Sequence, residues 1–140
     1  MEKEDKDLLL KDLCGRLPYG VKCTVYRDID IHRLSGVVYG NPFGELYFKE
    51  LDWKECDGFV HVEYCKPFLF PLSSLTAKQK QELWDMGWDY ILLALSNERI
   101  EYRTHFDCRD LIDWLNKNHF DYRGLIRDGL AIDCTNLNIY

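Results

Sequence analysis

The sequence predicts an α+β fold: an N-terminal helix, an antiparallel meander sheet, then C-terminal helices plus a last short strand. Two patterns carry that expectation. The first half alternates apolar and polar residues in short runs parted by links rich in Gly, Pro and Asp, the signature of half-buried strands joined by tight turns. The second half repeats apolar residues at three- and four-residue spacing behind capping residues, as amphipathic helices do. At 140 residues, residues 1–140 are expected to form a single domain.

The first helix is predicted from Leu9, Leu10, Leu13, Cys14 and Leu17 at helical spacing. Gly15 and Pro18 should end it, since proline restricts the residue before it to extended backbone. After a turn comes the clearest alternation in the chain. Val21, Cys23, Val25, Ile29 and Ile31 share one face, and Lys22, Thr24, Asp28, Asp30 and His32 the other. Arg27 interrupts the row, as a bulge or an open strand end does. Residues 34–39, 45–51 and 59–65 complete the meander, with Val60, Val62 and Tyr64 facing one way. Lys66-Pro-Phe-Leu-Phe-Pro71 is expected to leave the sheet, because proline cannot donate to a central ladder.

Thr76-Ala-Lys-Gln79 is a capping-box pattern, predicting a helix over 77–86 stopped by Gly87. Residues 88–95 fit a short helix or a buried strand, and 100–104 alternate as extended chain. Asp107 reads as the N-cap of a helix over 108–118 with the apolar stripe Leu111, Ile112, Trp114 and Leu115. A loop over 119–124 and a final strand over 130–134 close the chain.

Composition narrows the function classes. A net charge of −6, from 18 basic and 24 acidic residues, argues against general nucleic-acid binding. No run approaches the roughly 18 apolar residues of a membrane span. The charged start Met1-Glu-Lys-Glu-Asp-Lys-Asp7 does not resemble a signal peptide. A cytoplasmic protein is therefore expected, in which the six cysteines stay reduced and pack as small hydrophobes.

None of the common nucleophile-elbow, phosphate-loop, dinucleotide or zinc-protease signatures is present, so no enzyme, cofactor or metal is expected. Two alternatives compete with that reading. Cys65 or Cys108 could pair with a histidine as a nucleophile. Cys56-x4-His61-x3-Cys65, with Cys14 or Cys23 as a fourth ligand, could hold zinc, although knuckle spacing is lacking.

Two polar-aromatic clusters are the candidate sites. Asn116-Lys-Asn-His-Phe-Asp-Tyr-Arg-Gly124 offers His119, Tyr122 and Arg123 in one loop. Arg16-Leu-Pro-Tyr-Gly-Val-Lys22 offers Arg16, Tyr19 and Lys22 around a turn. Cations that pair phosphate and rings that stack on a base are what a small anionic, nucleotide-like ligand requires. The competing reading is structural: Phe120 and Tyr122 anchor the loop and Asp121 pairs with Arg123. Hydroxyls in Pro71-Leu-Ser-Ser-Leu-Thr76 precede a helix N-terminus, where an anion or plain capping would use them. Trp84 and Trp88 suit core packing or a protein interface.

The blocks Leu8-Leu-Leu-Lys-Asp-Leu-Cys-Gly-Arg-Leu-Pro-Tyr-Gly-Val-Lys22, Lys66-Pro-Phe-Leu-Phe-Pro-Leu-Ser-Ser-Leu-Thr76 and Trp114-Leu-Asn-Lys-Asn-His-Phe-Asp-Tyr-Arg-Gly-Leu-Ile126 carry a resemblance. With Gly129-Leu-Ala-Ile132, they resemble a family of small uncharacterised proteins of gut bacterial and phage genomes. That family's pattern has arginine where this chain has Phe70. The resemblance implies no activity, but its phage setting favours a binding role, either sequestering a nucleotide or masking a host protein. The expectation is thus a small non-enzymatic binding protein with a nucleotide-like ligand at Arg16, Tyr19, Lys22, His119, Tyr122 and Arg123. The alternative is a module that covers a host protein through Trp84 and Trp88 or the Asp52-Trp-Lys-Glu55 loop. A site shared between protomers of a homo-oligomer is compatible with both.

Overall fold

The computed structural model describes residues 1–26, 30–38, 44–49, 51, 58–88 and 109–140. Helix α1 (Lys3–Arg16) leads through a 3-10 turn (Leu17–Tyr19) into β1 (Lys22–Val25) and β2 (His32–Arg33). Strands β3 (Gly36–Val38), β4 (Glu45–Tyr47) and β5 (Phe59–His61) precede a second 3-10 turn (Val62–Tyr64) and β6 (Cys65–Pro71). Then come α2 (Ala77–Asp85), α3 (Arg109–Lys117), β7 (Phe120–Asp121) and β8 (Ile132–Asp133). The fold is α+β, as the sequence predicts.

The strands divide into two sheets rather than one meander. β3, β4 and β5 form an antiparallel meander, with Leu46 opposite both Val37 and Val60. The larger sheet is built around β6, which pairs antiparallel with β1 and parallel with β7 and β8. The expectation that residues 66–71 leave the sheet is therefore wrong, and the register explains why. Tyr26 N–H donates to Tyr64 O at 2.7 Å, which makes Thr24 and Lys66 a hydrogen-bonded pair and Cys23 and Pro67 a non-hydrogen-bonded one. The Pro67 nitrogen thus points away from β1, and β8 pairs only from Phe68 onward. Proline removes no ladder bond there.

The predicted strand over 59–65 is also broken, because Val62–Tyr64 forms a 3-10 turn between the sheets. Val60 and Val62 are buried, whereas Tyr64 swings out to 44% exposure. Ile31, expected on the buried face with Val25, is exposed as well. α1 runs one residue past the predicted stop at Gly15. A Cβ at Gly15 would lie 3.1 Å from Asn116 Nδ2, so glycine here permits the close approach of α1 to α3. The capping box forms as predicted: Thr76 Oγ1 accepts from Gln79 N–H at 3.2 Å, and Gln79 Oε1 accepts from Thr76 N–H at 2.9 Å.

Two apolar cores form among the described residues. Leu9 and Leu13 of α1 pack with Val21, Cys23, Val25, Leu46 and Leu69. Leu83, Leu111 and Leu115 pack with Phe120 and Tyr122 in the other, where Trp114 stacks on Phe120 at 5.7 Å. Arg27, Asp28, Ile29, the Asp52–Glu55 loop, Cys56, residues 89–95 and 100–104, Asp107 and Cys108 lie outside the described residues.

Candidate functional site

The two predicted clusters meet at the end of α1. Asp12 and Arg16 are one helical turn apart, which places both on one face. Arg16 Nε donates to Asp12 Oδ2 at 2.6 Å and Nη2 to Asp12 Oδ1 at 3.1 Å. Arg16 Nη2 also donates to the Phe120 carbonyl at 2.7 Å. Both side chains are fully buried. Burial alone pushes the guanidinium toward neutrality, but Asp12 outweighs it and holds the Arg16 pKa above its ordinary value.

The 119–124 loop is fastened to this pair. Arg123 Nε lies 3.3 Å from Asp12 Oδ1. The Arg16 and Arg123 guanidinium groups both lie over the Tyr122 ring, 5.2 and 5.1 Å from its centroid, and its hydroxyl donates to Asn116 Oδ1 at 3.0 Å. Asp121 Oδ1 accepts from the amides of Arg123, Gly124 and Leu125, and Oδ2 from that of Ile126. One carboxylate thereby satisfies four backbone donors.

His119 and Lys22 meet around Tyr140. His119 has a φ of 62°, an uncommon conformation for a residue other than glycine, and its ring stacks on Tyr140 with centroids 3.6 Å apart. Burial, reinforced by the positive charges of Arg16 and Lys22, pushes the imidazole pKa down to about 4. The Tyr140 hydroxyl accepts from Lys22 N–H at 2.9 Å and donates to Phe68 O at 2.9 Å. It bridges the register position where β1 and β6 would otherwise bond directly. Lys22 Nζ donates to Ile139 O at 2.9 Å. Phe70, which takes the place of the arginine in the resembled pattern, packs its ring against Phe120 and Tyr140. Tyr19 closes the 3-10 turn, half-buried, and among the described residues no hydrogen bond or ring contact ties it to the other five.

A group of side chains open to solvent lies elsewhere, on the outer face of β1 and β6. Thr24, Tyr26, Glu63, Tyr64 and Lys66 line a cleft of about 450 Å³. Tyr26 and Tyr64 stack there with centroids 4.9 Å apart at 21°, and both remain more than two-fifths exposed. Tyr26 holds a φ of 57°, a conformation bulky side chains seldom adopt. Glu63 pairs with Lys6 at 3.0 Å, and a hydrogen bond from Lys6 lowers its pKa and keeps it ionised. Lys66 is exposed. The sequence reading missed this cleft, although period-two alternation puts Lys22, Thr24 and Tyr26 on one face.

The other candidates are spent locally or differ from their pattern. Ser74 Oγ donates to Pro71 O at 2.7 Å and Thr76 caps α2. Cys65 Sγ lies 3.8 Å from the His61 carbonyl, and burial pushes its thiol up to about 12. A thiol held protonated is the reverse of what a nucleophile needs. Among the described residues no three His, Cys, Asp or Glu side chains are grouped to hold a metal ion, and none of their helices is long and apolar enough to cross a membrane. Comparison with protein-family models, curated proteins and solved structures finds no match for this chain.

Proposed function

We propose that this chain is a non-enzymatic binding protein whose ligand is nucleotide-like, a planar ring bearing an anionic group, seated in the Tyr26–Tyr64 cleft. The observation that carries the reading is the cleft itself, about 450 Å³ bordered by two exposed, stacked tyrosines and the free end of Lys66. That volume falls within the range of small-molecule sites. A tyrosine face stacks on any base, and an exposed ammonium pairs with phosphate. Thr24 and ionised Glu63 supply a hydroxyl and an acceptor for polar groups on the ring edge. The proposal moves the ligand away from Arg16 and Tyr122, which are buried and bonded to Asp12, Phe120 O and Asn116. The phage setting of the resembled family supports sequestration as the use of such binding.

Calorimetric titration with nucleoside monophosphates tests the proposal. Saturable binding is expected, weakened about tenfold or more in Tyr64→Ala through loss of a stacking face. No saturation up to millimolar ligand, or unchanged affinity in Tyr64→Ala, refutes it. One observation favours a protein-masking role instead: Trp84 is 59% exposed and Met86 41% at the end of α2, the type of anchor that dominates interfaces. Under that reading nucleotides do not bind, and Trp84→Ala abolishes capture of the partner.

A further inference from the structure

The outer face of β1 and β6 does not stop at the cleft. Continuing the register, Tyr26 stands opposite Tyr64, Thr24 opposite Lys66 and half-buried Lys22 opposite Phe68, which is itself buried. At ~3.3 Å per residue, the Thr24–Lys66 pair lies about 7 Å from the tyrosines and Lys22 about 13 Å. The charges are graded along the same line. Glu63 sits at the tyrosine end, where its neighbour is Lys6. Lys66 follows, and then Lys22, whose Nζ stands 5.5 Å from the Tyr140 ring centroid. Its contact with Ile139 O uses one of three ammonium donors. Arg16 lies close enough behind this end to act, together with Lys22, on the His119 imidazole.

A single phosphate attached near the ring reaches Lys66 and leaves Lys22 idle. A chain of phosphates running along the strand meets both. We infer that the cleft takes a nucleoside polyphosphate, its base on Tyr26 and Tyr64, its first phosphate at Lys66 and its terminal phosphate at Lys22. The acidic end of the face is then matched to the base, whose exocyclic amine donates to Glu63, and the basic end to the phosphates. This inference rests on the nucleotide reading of the cleft.

Titrations with AMP, ATP and inorganic tripolyphosphate, each with divalent cations chelated, separate the two. ATP is expected to bind at least about tenfold more tightly than AMP, and tripolyphosphate alone more weakly than either. Lys22→Gln should erase the advantage of ATP while leaving AMP affinity within about twofold, with circular dichroism confirming the fold. Equal affinity of the wild-type protein for AMP and ATP overturns the inference whatever the variant does. An ATP advantage that survives Lys22→Gln overturns it too, and both results leave the nucleotide reading standing. Tripolyphosphate binding as tightly as ATP, or no binding of AMP or ATP, overturns that reading and this inference together.

Discussion

At the end of α1, Arg16 is enclosed by Asp12, the Phe120 carbonyl and the Tyr122 ring with no exposed surface. On the outer face of β6, Lys66 extends into solvent beside the Tyr26–Tyr64 stack. Both regions combine cations with tyrosines, the chemistry expected of a phosphate and base site. Only the second leaves a cation and two tyrosine rings open to solvent. The difference lies in desolvation: a buried cation requires fixed partners, and those partners use the donors a ligand would need. A motif rich in His, Asp, Tyr and Arg can therefore be a structural clasp, while an open site is assembled from residues that form no motif.

The largest effect that would test this contrast is loss of Asp12. Asp12→Ala leaves Arg16 buried without its carboxylate and deprives Arg123 of the same partner. Removing one member of a buried pair costs about 3–5 kcal/mol. Urea denaturation should show that loss, and a change below about 1 kcal/mol would mean that the Arg16 guanidinium finds water or another acceptor and is no clasp.

The sequence made parts of the clasp legible and concealed others. His119, Tyr122 and Arg123 stand out as a polar run after an apolar helix, whereas the bond from Arg16 to Phe120 O, which joins the two predicted clusters, is not readable from the sequence. Asp12 belongs to no motif, although its four-residue spacing from Arg16 marks a pair. The cleft was harder to read because Tyr26 and Tyr64 belong to different elements and meet only through antiparallel register, a non-local fact. Register likewise decides the fate of Pro67, which counts against a strand by residue type and is harmless at a non-hydrogen-bonded position.

A middle-sized effect tests the edge of the clasp, where His119 stacks on Tyr140. His119 has a folded pKa of about 4 against 6.5 when unperturbed, so between those values the unfolded chain binds the proton that the folded one refuses. Stability is full above pH 6.5 and falls as pH drops toward 4. Discounted for solvent screening, the loss should be about 1–2 kcal/mol. Because carboxylates titrate nearby, the readout is the difference between wild type and His119→Gln in denaturation midpoints at pH 7.5 and pH 4.5. Equal pH dependence in the two proteins would show that the ring is not held neutral by burial, Arg16 and Lys22.

The smallest effect belongs to the ion pair in which both partners, rather than one, keep contact with solvent, and its smallness is what the contrast requires. Lys6 and Glu63 approach to 3.0 Å, closer than Arg123 and Asp12 at 3.3 Å. Distance alone would rank the surface pair higher. Solvent reverses that order, because an exposed pair competes with water and mobile ions for each charge. Glu63→Gln should leave the denaturation midpoint unresolved from wild type, with no dependence of the difference on salt, while Asp12→Ala shifts it far. A destabilised Glu63→Gln protein would show the Lys6–Glu63 pair to be structural, and Glu63 would then be held by Lys6 rather than offered to a base.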